Sequence, residues 1–363
     1  MFKKLHYKVR GLPTPLAGLA LGIASLGWCL ENALPLAGWG QTTGAVIGLV
    51  MIGFLVLRFT AHHDTLWADL KHPVVGSIVP TFAMCLMVVS KTAGHWMPEA
   101  GVVLWCAAVL LHLAALGIFV VNRLQEPRLE LMVPSWFVPP IGIVVADVTF
   151  PEVAVLLPFA KILFWMGAAA YAVLLPLMIY RLFFLPEVPN GAKPTIAILA
   201  APASLLLAGY LTVEKDPSLL LVALLFGIAI LMTVVIYFAF WRLLRLQFSP
   251  GYAAFTFPMA IGATALYKLS NLVAGFPGAL HYAHQIRFLA HVEVTVAAVV
   301  ILYVAALYAK NLRGMLPKLP AAALNQTASR FIRQGAVFHC SLHLVPRTTF
   351  GKRRCRSHNV AHG

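Results

Sequence analysis

The sequence predicts an all-α polytopic membrane protein of ten transmembrane helices, joined as five helical hairpins. Three observations carry that prediction. First, 61% of the 363 residues are hydrophobic and only 11% are charged, whereas a water-soluble domain carries about 25% charged residues. Second, the apolar residues form continuous runs, as at 102–121 and 219–241. Runs of roughly 20 apolar residues span a bilayer as helices, while a β-barrel alternates apolar and polar positions. Third, proline recurs at an even spacing through the apolar segments.

Ten apolar segments follow one another: 12–31, 42–60, 74–91, 101–122, 135–150, 153–181, 195–213, 218–242, 252–272 and 286–310. The fifth is short for a span. Residues 1–11 form a basic N-terminus, and the stretch after it is a full span, longer than the apolar core of a cleavable signal peptide. Residues 12–313 hold the membrane domain. Residues 314–363 contain no span and include Gly351-Lys-Arg-Arg-Cys-Arg. This tail reads as basic, disordered and cytoplasmic.

Lysine and arginine sort the connections into two sides. The N-terminus, the loops with Arg58 and Lys71, Arg123 and Arg128, Arg181 and Lys193, and Arg242 and Arg245, and the C-terminal end from Lys310 and Arg313 through the tail hold 22 of the 27 basic residues. The remaining five are Lys91, Lys161, Lys215, Lys268 and Arg287. Cytoplasmic loops carry the positive excess, so both termini are expected in the cytoplasm, which ten spans satisfy. The net charge of +15 is therefore a topology signal and not a nucleic-acid-binding face. The five cysteines (Cys29, Cys85, Cys106, Cys340, Cys355) show no C-x-x-C pair and no metal or disulfide pattern.

Pro15, Pro80, Pro140, Pro202 and Pro258 fall in or near the start of every odd segment, separated by 65, 60, 62 and 56 residues. Of the even segments only the sixth holds proline, Pro158 and Pro176. Proline removes a backbone hydrogen bond and bends a helix. In lipid such a break is tolerated where the backbone is buried in protein or lines water. The odd segments are thus expected to form an inner ring around a path, and the even ones an outer ring facing lipid.

Ionisable residues inside a membrane are candidate functional groups. They are Glu31, His112, Asp147, Lys161, Lys268, His291 and Glu293. Lys268 follows the Pro258 break by ten residues and is a candidate to attract anions. Phe257 and, second, Phe255 flank the same break and could close a path, since hydrophobic constrictions gate pores by excluding water. His62-His63-Asp64 is weak evidence for a metal. No phosphate-binding loop, G-x-S-x-G or H-E-x-x-H is present, so neither an enzyme nor a cofactor is expected.

Five motifs resemble the tellurite-resistance/dicarboxylate transporter family, which includes the plant slow-type anion channels. They are Pro15-Leu-Ala-Gly-Leu-Ala-Leu-Gly with Trp28-x-Leu-Glu-Asn-x-x-Pro35; His72-Pro73-Val74 with Pro80; Pro134-Ser135-Trp136-Phe137-Val138-Pro139; Ala201-Pro202-Ala203; and Phe255-Thr-Phe257-Pro258-Met259. The resemblance covers roughly residues 10–313. It implies quasi-fivefold symmetry around a central pore, a homotrimer, and small anions as the transported species. It also implies that Phe257 is the pore gate, in a multi-pass protein of the cell (inner or plasma) membrane. The alternative is a proton-coupled exporter of C4-dicarboxylate, sulfite or tellurite-related oxyanions, which needs a titratable group such as Glu31, Asp147 or His291 in the path. The tail after 313 resembles nothing in the family, and Pro139-Pro140 leaves open which proline marks the fifth break.

Overall fold

In the computed structural model, residues 2–316 are described, with side chains from residue 6 onward. Most of the basic tail, 317–363, lies outside the described residues. The described chain is helical throughout its apolar segments. A short basic helix, α1 (Phe2–Val9), precedes the first long helix, α2 (Leu16–Ala33). Then come α3 (Trp39–Ala61), the nine-residue α4 (His63–Lys71), α5 (Val75–Trp96), α6 (Pro98–Gln125) and α7 (Pro134–Val148). The remainder is α8 (Ala154–Phe184), α9 (Lys193–Val213), α10 (Leu219–Leu243), α11 (Thr256–Ala274) and α12 (Leu280–Met315). Eight of these are long and apolar enough to cross a membrane. The other two apolar segments are the short α7 and α11, whose Thr256, Thr264, Lys268, Ser270 and Asn271 lower its apolarity.

Two classes of helix separate by burial. Inner helices α2, α5 and α9 are 61%, 72% and 78% buried, whereas α3, α6, α8, α10 and α12 are 22–39% buried. Helices α7 and α11 belong to the first class, with most of their residues buried. The contacts close a ring: α2 packs on α5, α5 on α7, α7 on α9, α9 on α11, and α11 back on α2. Because the long helices alternate in direction, all five inner helices start at one end of the bundle, the near end, and finish at the far end.

Lipid is as apolar as leucine, so helices in it associate through close packing more than through hydrophobic transfer. The first hairpin illustrates this. Gly27 of α2 faces Gly44 of α3 so closely that a Cβ on Gly27 would sit 2.9 Å from the Gly44 Cα.

The breaks lie in the inner helices. Pro80 separates Val75–Ile78 from Thr81–Trp96. Helix α7 changes from α to 3-10 winding after Ile141, just past Pro139 and Pro140. Helix α9 runs as a 3-10 helix over Lys193–Ala200 before Ala201–Val213. A 3-10 turn, Pro250–Phe255, precedes α11. The freed backbone of α7 is served by its outer partner. Trp105 Nε1 of α6 donates to the Ala146 carbonyl at 2.9 Å, and His112 Nε2, one heptad on, pairs with the Pro139 carbonyl at 2.8 Å. An unpaired backbone group there would cost several kcal/mol, on the order of 2–7.

Near the start of the ring, Arg58 is 6% exposed inside α3. It pairs with Asp69 of α4 at 2.8 Å and donates to Thr14 Oγ1 at 2.6 Å, while Thr14 donates to Asp69 at 2.5 Å. This network fastens α4 to the residue preceding Pro15. Arg58 is thus a buried structural ion pair and not a free loop charge.

Candidate functional site: an axial cavity at the helix breaks

At the level of the breaks the ring encloses a cavity of about 60 Å³. Every inner helix contributes: Pro15, Gly18 and Leu21 from α2; Ile78, Thr81 and Met84 from α5; Phe137, Val138, Ile141 and Gly142 from α7. Ile198, Ala201, Pro202 and Leu205 come from α9, and Gly251, Ala253, Ala254, Phe257 and Pro258 from the last inner segment. No residue of an outer helix lines it. The space is large enough to admit water. Thr81 is the one side chain in the wall able to hydrogen-bond, and the rest is apolar.

Four inner α-helical stretches begin at this cavity, after Pro15, Pro80, Ala200 and Phe255, and none has a side-chain cap at its N-terminus. The first amides of α2 are satisfied instead by tight turns: Leu16, Ala17 and Gly18 donate to Pro13, Thr14 and Pro15 at 2.9–3.0 Å. What reaches the cavity is therefore the positive end of each helix dipole, about half an elementary charge per helix at most, and not a set of orphan donors.

The two phenylalanines flanking the last break lie in different places. Phe257 is half-buried and lines the cavity. Phe255 is fully buried behind it, edge-on to Phe240 of α10 at 5.5 Å and to Tyr252 at 4.8 Å. Between them, Thr256 donates to the Gly18 carbonyl of α2 at 3.1 Å and to the Ala253 carbonyl at 2.7 Å. Gly22 approaches Thr256 so closely that a Cβ there would overlap its side chain. Pro15, Pro202 and Pro258 line the cavity, while Pro80 is buried in the break of α5 and Pro140 sits in that of α7 beside lining residues.

The ionisable residues lie away from the cavity wall. Glu31 accepts from the backbone amides of Gly38, Gly40 and Gln41 at 3.1, 2.7 and 3.1 Å, closing the start of α3. Lys161 pairs with Glu214 at 2.8 Å. His291 hydrogen-bonds Tyr267 at 3.0 Å. Glu293 accepts from the Tyr237 hydroxyl, and its second oxygen has no hydrogen-bond partner among the described residues. Both oxygens of the fully buried Asp147 also have none. Lys268 is partly buried on α11, toward the far end. His62 and His63 bond to the carbonyls of His6 and Phe59, at 2.9 and 3.0 Å. The Thr256 tie and the Trp105 support have no counterpart among the sequence expectations, whereas His112, a candidate there, is a bundle histidine bonded to backbone. The one signal for the first two was a polar or aromatic residue in an otherwise aliphatic stretch.

A family model described as voltage-dependent anion channel matches residues 15–309. The chain belongs to that family. The match spans the whole ring, from Pro15 in the cavity wall almost to the end of α12. It agrees with the five motifs that resemble tellurite-resistance and dicarboxylate transporters. Among curated proteins, a tellurite resistance protein homolog of Haemophilus influenzae is 25% identical over 285 residues, 73% of this chain and 84% of its own length. An uncharacterized transporter of Methanocaldococcus jannaschii is 26% identical over 232 residues, 56% of this chain. A second from that organism is 23% identical over 240 residues, 58% of this chain. The matches span 66% and 69% of the two archaeal proteins. This voltage-dependent anion channel family member is thus a multi-pass membrane protein of a transport family.

Proposed function

We propose that this protein moves small anions across the membrane through the axis of the five inner helices, with Phe257 closing the resting path. The observation that carries the reading is the cavity: all five inner helices wall it, none of the outer ones does, and it lies where the inner helices are broken. In this reading α7 and α11 complete ten crossings in quasi-fivefold order, and both termini are cytoplasmic. The protein sits in the cell membrane as a homotrimer. Helix dipoles aimed at the cavity favour negative ions. An apolar wall with Phe257 in it keeps the path shut until the ring moves, as dewetting gates do.

Anion-substitution currents from reconstituted protein, with and without Phe257→Ala, test the reading. The variant is expected to raise anion conductance at least tenfold, a barrier lowered by about 1.4 kcal/mol. An unchanged current in a folded variant removes the gate. Absence of anion current in both proteins removes the function.

A second reading has its own observation behind it. Asp147 and Glu293 are buried carboxyls with unpartnered oxygens, and intramembrane carboxyls serve as proton relays in coupled transporters. A proton-coupled exporter of dicarboxylate or oxyanion would respond to an imposed pH gradient. A flux that follows voltage and ignores that gradient eliminates it.

A further inference from the structure

A second cavity, of about 320 Å³, lies at the far end of the bundle. It is a side pocket: outer-helix residues help to wall it, and it shares no lining residue with the axial cavity. Its walls are the last turns of α5, the connection after α7, and the first turns of the outer helices α3 and α6. Among them, Gly94 and Gly101 bring α5 and α6 so close that a Cβ on Gly101 would sit 2.4 Å from the Gly94 Cα.

The pocket lies at headgroup depth. Along α5 it starts at Ser90, and the helix ends at Trp96, about 9 Å further on. Trp39, at the start of α3, and Trp96 are both exposed. Exposed tryptophans at the ends of spanning helices mark the membrane–water interface. Deeper along the same outer helices, Val46 of α3 and Val103 of α6 present exposed apolar surface to acyl chains.

One cation and one carboxylate meet in the wall. Lys91 pairs with Glu152 at 3.0 Å and donates to the Phe150 carbonyl at 3.2 Å. The Glu152 side chain is 79% exposed, so the pair is solvated, adds little to stability, and is parted at little cost. Phe150 still holds the ammonium when the carboxylate moves. The backbone of Glu152 is left-handed, with φ 62°, which few non-glycine residues adopt. The connection from α7 to α8 turns there, beside Lys91. Gln41, His95 and Thr149 add further polar groups.

We propose that this side pocket binds the headgroup of a phosphatidylethanolamine of the far leaflet, its phosphate on Lys91 and its ammonium on Glu152. A zwitterion satisfies both members of the pair with charge-assisted hydrogen bonds. A purely anionic headgroup leaves Glu152 facing a phosphate. A choline headgroup has no N–H to give Glu152. The inference concerns the lipid-facing flank and does not depend on the anion path.

Native mass spectrometry of the full chain in non-ionic detergent tests it. Phosphatidylethanolamine, phosphatidylcholine and phosphatidylglycerol with identical acyl chains are compared at equal concentration. The ethanolamine lipid is expected to bind about tenfold more tightly than either, the worth of one charge-assisted hydrogen bond. Glu152→Gln should abolish that preference and strengthen phosphatidylglycerol, whose phosphate then meets an uncompensated Lys91. Lys91→Gln should weaken all three. Opposite changes for two lipids in one variant do not arise from misfolding. An ethanolamine lipid bound no more tightly than the other two overturns the inference. So does a Glu152→Gln protein with the wild-type order of lipids. Soluble phosphoethanolamine that competes as well as the lipid overturns the membrane as its source. Each of these outcomes leaves the anion-path reading standing.

Discussion

Gly22→Ala probes the seam that joins the first inner helix to the last break. Gly22 of α2 lies against Thr256, and an added Cβ would overlap the Thr256 Cβ and Oγ1 and sit 3.3 Å from the Phe257 amide nitrogen. Neither neighbour yields easily. Thr256 is fully buried and its hydroxyl serves two carbonyls, Gly18 and Ala253. Overpacking of this kind costs about 1–3 kcal/mol, and displacing the hydroxyl forfeits about 1 kcal/mol for each hydrogen bond. The expected loss is about 3–5 kcal/mol, read as a lower denaturation midpoint in detergent. Part of the strain is relieved by parting α2 from α11, so basal anion leak should rise. Thr256→Ala keeps the Cβ and should not rescue Gly22→Ala, which separates close approach from loss of the hydroxyl. Stability within 0.5 kcal/mol of wild type, a surface-like effect, would refute the reasoning. So would full rescue by Thr256→Ala.

Other predictions follow from the supports around the ring. Arg58→Ala leaves Asp69 with Thr14 alone, and breaking a buried pair costs about 3–5 kcal/mol. Because Asp69 keeps 19% exposure, the low end is expected in a thermal melt, with partial recovery in Arg58→Ala/Asp69→Asn. His112→Phe strands the Pro139 carbonyl in the break of α7 and should cost about 1–3 kcal/mol, whereas a lipid-facing change such as Val103→Phe should be neutral in the same assay. Lys268→Gln removes the half-buried lysine of α11 that is a candidate to attract anions. Anion conductance at low ionic strength should fall a few-fold, with the difference vanishing in high salt.

Much of the architecture was legible in the sequence, because a bilayer leaves few choices. Spacing of Pro15, Pro80, Pro140, Pro202 and Pro258 by about sixty residues marked the inner helices, and the structure buries those helices about twice as deeply as their partners. Hydropathy alone would have understated α7 and α11, one shortened by its breaks and the other laden with threonine, serine and lysine. The short helices α1 and α4 were hidden: eight and nine residues of mixed polarity in connections read as loops. Arg58 was counted among the loop charges, because nothing in its neighbourhood announces a partner eleven residues on, in another helix. The two phenylalanines show where periodicity stops helping. Phe255 and Phe257 differ by two positions, and which one meets the cavity depends on where 3-10 winding gives way to α, at Phe255–Thr256. Composition carries no trace of that junction. Nor could it tell that Asp147 and Glu293 would each keep an oxygen without a partner, since a helix-borne carboxyl finds or lacks its donor only through packing.

In the proposed mechanism five broken helices enclose a passage that admits water when the ring at Phe257 opens. Single cysteines at Leu21, Met84, Ile141, Leu205 and Ala254, one on each inner segment, test it in a Phe257→Ala protein lacking all five native cysteines, Cys29, Cys85, Cys106, Cys340 and Cys355. Matched controls go at lipid-facing Val103 and Leu231. A membrane-impermeant thiol reagent is expected to label all five inner positions and neither control, and permeant anions are expected to slow the labelling. Inner cysteines as unreactive as the controls would contradict it.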